Sequence, residues 1–401
     1  MTLAEKILSE KSGMKVEVGD IIEATVDKAM SHDNAALVIK KFEEIGLPLK
    51  IPEKIVIILD HRVPANTIKT AENHRKIREF VKKNGIKNFY DVNHGICHQV
   101  MIEEGHAQKG MLIVGTDSHT TSYGALNAFS TGIGATEMAS VWATGKIWLK
   151  VPETYRIEVN GNLPEMVFAK DIILHIIGEL KSDGANYKAC EFYGIVEKMP
   201  LADKITIANM SMEMGAKTAF FGGGNGIYEK DVYENDIYEK NFEFDISELS
   251  PQVSCPHAVD NVKSIEDVEG KEINQAVFGS CTNGRIEDLR ISAKILKGRK
   301  IKKGVRFLIF PASMKIYRQA LEEGLIKIFI DSGGIVMNPG CGCCLGAHEG
   351  ILAENEVAIT STNRNFKGRM GSKNSEIYLA SPATVTASAI EGKIADPRKF
   401  A

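Results

Sequence analysis

Three cysteines and a small set of histidines and acids are the residues whose types and spacing suit chemistry. Cys341-Gly342-Cys343-Cys344 contains a C-x-x-C pair just after Pro339-Gly340, and Cys281 lies upstream in Gly279-Ser280-Cys281-Thr282-Asn283-Gly284. A C-x-x-C pair suits a redox dithiol, half of a zinc site, or two thiols packed in a tight Gly-containing turn. Structural zinc takes four ligands of its own, and no second C-x-x-C at ribbon spacing is present. Three thiolates are one short of the usual four of a 4Fe-4S cluster, which would leave one iron exchangeable and able to polarise hydroxyl and carboxylate oxygens. The pattern alone leaves these uses open. Cys97, Cys190 and Cys255 stand apart and read as small buried hydrophobes, and Cys343 reads as packing in the turn.

The elements that must position these groups are Ile/Val-rich runs alternating with amphipathic segments, the pattern of an α/β chain with a mostly parallel sheet. Ile55 to Leu59 reads as a buried strand. The next segment, Ile68 to Lys83, spaces Ile68, Ala71, Ile77, Phe80 and Val81 for a helix that stops at Asn84-Gly85. Further strands are expected at Met111 to Val114, Ala276 to Phe278, Arg306 to Phe310, Gly334 to Met337 and Glu356 to Thr360. Polar clusters follow several of them: Asp60-His61, Asp117-Ser118-His119, Ser280-Cys281-Thr282-Asn283, and Cys341 to Cys344. Ligands of open α/β sheets bind beyond the carboxyl ends of strands, so separate segments can converge on one site. The Ser- and Pro-rich stretch Ser247 to Asp267 and the Gly/Asn/Asp/Glu-rich stretch from Phe221 to Asp245 each read as a boundary or a surface excursion.

Composition narrows the class. At 401 residues the chain exceeds one ordinary core. Hydrophobic residues at 44% and charged residues at 25% fit a globular protein. The 49 Lys and Arg nearly balance 52 Asp and Glu, so there is no field to gather nucleic acid, and KGRKIKK at 297–303 reads as a solvated run. No secretory signal opens the chain, and its apolar runs fall far short of the roughly 20 residues that cross a bilayer. Seven cysteines, an odd number, fit reduced thiols or metal ligands better than disulfides. A cytoplasmic protein without nucleic-acid or membrane partners is expected.

With these motifs in hand, the chain resembles the large subunits of the aconitase-family hydro-lyases almost end to end. The most specific stretches are VGTDSHTTSYGALNAFSTG (114–132), FGSCTNGRIEDLR (278–290), NPGCGCCLG (338–346) and STNRNFKGRMG (361–371). The resemblance implies three α/β/α domains with mostly parallel sheets around a central cluster-binding cleft: residues 1–152 with acid-base residues, 153–262, and 263–401 with the cluster cysteines. It implies a 4Fe-4S cluster held by Cys281, Cys341 and Cys344, with one open, oxygen-labile iron.

It also implies histidine–carboxylate pairs around the substrate: Asp60 with His61, His98 with Asp117, and His119 with Glu213. A carboxylate fixes the imidazole tautomer and supports its charged form, which suits delivery of a proton to a departing hydroxide, and His61 is the candidate for that role. Substrate-binding roles fall by resemblance to His32, Ser118, Asn209, Asn363, Arg364 and Arg369, the arginines gripping carboxylate in bidentate fashion. Asn209 and Glu213, four apart, are expected on one helical face. The family commonly has C-T-H-G after D-S-H-T, where this chain has Thr121-Ser122-Tyr123-Gly124. That departure bears on substrate choice and leaves the proposed ligands and acid-base pairs in place.

The chain stops about where the three cluster-side domains of the family finish. The swivelling fourth domain, with its serine base and further arginines, is therefore expected on a separate small subunit. The implied reaction isomerises a hydroxy di- or tricarboxylate by dehydration and rehydration. 2-Isopropylmalate of leucine biosynthesis is the first candidate substrate, followed by homocitrate or homoaconitate and then dimethylmalate or citraconate-type acids. A cluster-free RNA-binding regulator is the rival of another class, and an electron carrier a second; near-neutral charge opposes the first and three-cysteine ligation the second.

Overall fold

The computed structural model describes residues 1–222 and 237–401, so part of the polar stretch from 221 to 245 lies outside the described residues. Three parallel or largely parallel sheets and one two-stranded ribbon organise the chain. The first sheet runs Asn88–Tyr90, Ile55–Ile58, Lys28–Ser31, Leu112–Gly115, Phe129–Gly132, all parallel. Ile55, Val56, Ile57 and Ile58 are all buried, as a strand covered on both faces requires. The ribbon, antiparallel, pairs Ile21–Thr25 with Lys146–Lys150.

The second sheet is parallel throughout, in the order Thr218–Phe221, Ala189–Gly194, Thr154–Asn160, Lys240–Asp245. The third has seven strands: Val262–Ser264, Gln252–Ser254, Glu376–Ala380, Val357–Thr360, Gln275–Gly279, Arg306–Phe310 and Ile335–Val336. Gln252–Ser254 is antiparallel to both its neighbours, and the remaining pairings are parallel. The stretch from Ser247 to Asp267 is accordingly no linker. It forms this sheet's edge, with Val253, Val259 and Ile265 in the core and the Gln252 N–H bonded to Asp171 Oδ1 at 2.8 Å. Gln252–Ser254 joins the third sheet beside Glu376–Ala380, and Val262–Ser264 pairs on its outer side.

The helix Ile68–Asn84 begins at Thr67, whose hydroxyl accepts from Thr70 N at 3.1 Å, and ends at Gly85 with φ 64°. Its buried face differs from the expected stripe. Ile68 is 83% exposed and Ala71 is exposed too, while Thr70, His74, Ile77, Phe80 and Val81 turn inward. His74 belongs inside because its ring pairs with buried Asp33. Among the described residues no helix is long and apolar enough to cross a membrane.

Candidate active site

Two walls face each other beyond the carboxyl ends of the first and third sheets. On the first, Lys28–Ser31 delivers His32 and Asp33, Ile55–Ile58 delivers Asp60 and His61, and Leu112–Gly115 delivers Asp117, Ser118 and His119. Asp60 is buried; its Oδ1 bonds His61 Nδ1 at 2.7 Å and its Oδ2 accepts the Cys97 N–H at 2.7 Å. Asp33 holds the loop itself, accepting the backbone N–H groups of Asp60 (2.9 Å), His61 (2.7 Å) and Arg62 (3.2 Å) and pairing with His74 Nε2 at 2.8 Å. Burial would raise the Asp33 pKa, but the His74 bond and the charge of His61 hold it far below the usual carboxylate range.

Asp117 is the hub. Its Oδ1 bonds His98 Nε2 at 2.8 Å and the His119 N–H at 2.8 Å, and its Oδ2 lies 3.6 Å from His61 Nε2. Burial opposes charge on His61, yet Asp60 and Asp117 on its two ring nitrogens push its pKa well above 6.5. His32 stacks on His61 with ring centroids 4.0 Å apart, and burial, then the charge of His61, pull it down to about 4. Of the two stacked imidazoles, His61 is thus the one that favours the charged form and His32 the neutral one. His119 Nε2 bonds Glu213 Oε1 at 2.8 Å; Arg364 Nε bonds both Glu213 oxygens at 2.8 and 3.0 Å, and its terminal nitrogen bonds Ser118 Oγ at 3.0 Å. Asn209 and Glu213 reach the site from different elements: the α-helix Leu201–Ser211 ends before Glu213, which lies in the 3-10 turn Met212–Met214 closed by Gly215 at φ 87°.

The other wall carries sulfur. Gly279, at φ 126°, has no room for a Cβ, which would fall 2.1 Å from the Phe310 carbonyl oxygen, and it turns the chain into Cys281. Gly342, at φ 57°, presses on the Phe310 ring, so only glycine fits inside the C-x-x-C turn. Amide groups converge on the thiols: Asn209 Nδ2 and Asn363 Nδ2 each lie 3.3 Å from Cys281 Sγ. Cys344 Sγ lies 3.5 Å from Asn363 Oδ1 and 3.8 Å from an Arg369 nitrogen. The Cys341 thiol bonds Cys344, and that bond, opposed by burial and helped by Arg369, pulls the Cys344 pKa well below its ordinary value. Burial pushes Cys281 up to about 12. Arg285 fixes the Cys281 loop from behind, donating to the carbonyls of Cys281 and Thr282 and to Thr206 Oγ1. The two walls meet where the Cys341 N–H donates to the Asp60 carbonyl at 2.9 Å.

The donor set decides what can sit there. Thiolates on one tetrahedral ion lie roughly 3.8 Å apart, given metal–sulfur bonds of about 2.3 Å. Among the described residues, one group of three or more possible ligands has its donor atoms all within 4.8 Å of one another: His32, Asp33, Asp60 and His61, whose charges are already paired within the wall. Cys281, Cys341 and Cys344 do not form such a group, so the three sulfurs together are not set for one ion. N–H donors and a guanidinium around three free thiols suit an anionic cluster. Cys343 points away, fully buried in the apolar core, and Cys97 and Cys190 are buried likewise.

All the site residues expected from sequence lie in this region, with differences in detail. Asn209 is fully buried and its amide is engaged by Ser122, Cys281 and Thr282, so it faces sulfur rather than open space. Arg364 is committed largely to Glu213, whereas Arg369 Nε is buried with no hydrogen-bond partner. Three functional side chains escaped the sequence reading. Asp33 adjoins His32 in sequence; His74 looks like any helix histidine; Tyr123, one of the departures from the family pattern, has its hydroxyl 3.0 Å from His98 Nδ1.

Comparison with known proteins gives a consistent picture. Residues 5–229 and 225–392 match the family described as "Aconitase family (aconitate hydratase)". The chain is 50% identical, over 99% of its length and 99% of the relative's, to the probable 3-isopropylmalate dehydratase large subunit of Methanothermobacter thermautotrophicus. It is equally 50% identical, over 100% of its length and 98% of the relative's, to the probable methanogen homoaconitase large subunit of the same organism. The 3-isopropylmalate dehydratase large subunit 1 of Methanopyrus kandleri is 47% identical, with 100% of this chain and 99% of the relative covered. Among solved structures, holo aconitase X of Thermococcus kodakaraensis shares the fold with a TM-score of 0.53 at 12% identity, over 86% of this chain and 84% of that one.

Proposed function

The chain belongs to the aconitase family of hydro-lyases, and from that premise we propose that it is the large subunit of a 3-isopropylmalate dehydratase, isomerising 2- and 3-isopropylmalate by loss and return of water. The observation that carries this reading is the junction of the two walls at Cys341 and Asp60, which sets the carboxylate-paired imidazole of His61 against three free thiols. Homoaconitase is the second reading, because a relative of that name matches as well.

Cys281, Cys341 and Cys344 would hold the cluster, which supplies a Lewis-acidic iron with an exchangeable position toward the substrate's hydroxyl and carboxylate oxygens. His61 holds the proton at Nε2 for the departing hydroxyl, with Asp60 fixing Nδ1 and Asp117 supporting the charge. His32 stacks neutral against it and leaves the proton there. His98 and His119 keep Asp117 oriented, and the Glu213–Arg364 pair keeps His119 oriented in turn. Arg369, half-buried next to the thiol wall, is the guanidinium for a substrate carboxylate.

Among these groups no side chain is placed as a base toward carbon. We assign that base, a serine, and further carboxylate-binding arginines to a small subunit that docks over the cleft, in keeping with relatives named as large subunits. The test is turnover of isopropylmalate and of homocitrate after anaerobic reconstitution with iron and sulfide. Activity is expected with the small subunit and near zero without it. Full activity of the large chain alone rejects the partner, and preference for homocitrate selects the second reading.

A further inference from the structure

Lys170 is fully buried, at the start of the helix Ala169–Leu180, and takes no part in the acid-base relay. Its ammonium donates to the carbonyl oxygens of Ser361 (3.0 Å) and Thr362 (2.5 Å) and lies 3.8 Å from the Met210 sulfur. Among the described residues no carboxylate pairs with it. The adjacent Asp171 is committed elsewhere, to the N–H groups of Gln252 (2.8 Å) and Phe168 (2.9 Å). A cation in the first turn of a helix also opposes the macrodipole. Burial, the largest influence, draws the Lys170 pKa down to about 7, so its charge persists only where a nearby anion balances it.

The charges that favour the ammonium against burial come first from Cys281 and Cys344, ahead of Asp171 and Glu213. The two carbonyls it grips immediately precede Asn363, whose amide touches Cys281 Sγ and Cys344 Sγ, and Arg364, which holds Glu213. We propose that Lys170 is the buried counter-cation of the thiolate-held cluster and the positioning residue for the Ser361–Arg364 loop that lines it. The inference rests on the cluster reading above. Three thiolates around a 4Fe-4S core leave a net negative charge, and a fixed cation behind the loop stabilises it and favours the reduced state.

The experiment compares wild type with Lys170→Met, which removes charge and donor, and Lys170→Gln, which keeps a donor and removes charge. Each is reconstituted anaerobically with iron and sulfide. Both variants should release iron to a chelator about tenfold faster, the low end for residues supporting metal ligands. Both should also show a lower cluster reduction potential, which a purely structural tie would leave in place in Lys170→Gln. A potential equal to wild type overturns the proposal while leaving the cluster reading intact; a wild-type chain that takes up no cluster defeats that reading instead. Should neither variant fold, 15N-lysine labelling of wild type decides: a buried ammonium signal that shifts on cluster insertion supports the proposal, and one that does not overturns it.

Discussion

The two walls of the site are built by opposite means. On the imidazole wall, charge is packed against charge: Asp33, Asp60, Asp117 and Glu213 each pair with a histidine, and three of those histidines meet one carboxylate. On the sulfur wall, the groups at the Cys281 sulfur are neutral amides of Asn209 and Asn363, and the cationic side chains, Arg369, Arg285 and Lys170, stand at the edge and behind. A proton donor needs its own counterions, because its charge must persist until the substrate takes it. A site for an anionic group needs donors and distant cations that wait for it. Breaking one wall should therefore remove the group it was built for and leave the other standing.

The largest effect is expected from the sulfur wall. Replacing Cys281, Cys341 or Cys344 singly with Ser should abolish the cluster absorption of the reconstituted protein and with it turnover, a fall of at least about 1,000-fold for loss of a metal centre. A full cluster in any one variant removes that cysteine from the ligand set. Next comes His61→Gln, which should lower kcat by about 100- to 10,000-fold, the range of a general acid, while iron and sulfide content stay at wild-type levels. Cluster loss in this variant would show that the walls are not separable.

The acid wall should also show in pH dependence. His61 is raised in the folded chain, so its pairing stabilises the fold fully below 6.5, and that contribution disappears as pH rises through the raised value. His32 runs the other way: lowered to about 4, it leaves the folded chain short of a proton between that value and 6.5, and stability falls as pH drops through that window. For catalysis the protonated His61 is the working form. Asp117→Asn removes one of the two carboxylates that raise it, so the alkaline limb of kcat/KM should move to lower pH. A limb that does not move assigns the acid to another group.

Much of the site was legible because polar clusters sit directly after apolar runs. Asp60-His61 after Ile55–Ile58, and Asp117 to His119 after Leu112–Gly115, were readable as strand ends that face a ligand. The strand that delivers His32 and Asp33 was not: Lys28–Ser31 has four residues, two of them polar, and its burial comes from neighbours on both sides. His74 was hidden for a related reason. Helical periodicity took Ile68 and Ala71 as the inner face, whereas the rotation of the helix answers to Asp33, 41 residues earlier. Pairings such as His119 with Glu213, 94 residues apart, belong to the assembled sheets and have no local sequence signal.

The smallest expected effect separates thiols within one turn. Cys343 and Cys344 are neighbours, yet Gly342 turns the backbone so that Cys344 meets Asn363 and Arg369 while Cys343 enters the apolar core. Burial pushes the Cys343 thiol up, which keeps it protonated and makes it a poor ligand. Cys343→Ala should therefore leave cluster content and activity unchanged and cost only about 1 kcal/mol of stability for one lost buried atom, read as a shift of a few degrees or less in Tm. Reduced iron content in that variant would place Cys343 on the sulfur wall and redraw the boundary between ligand and core.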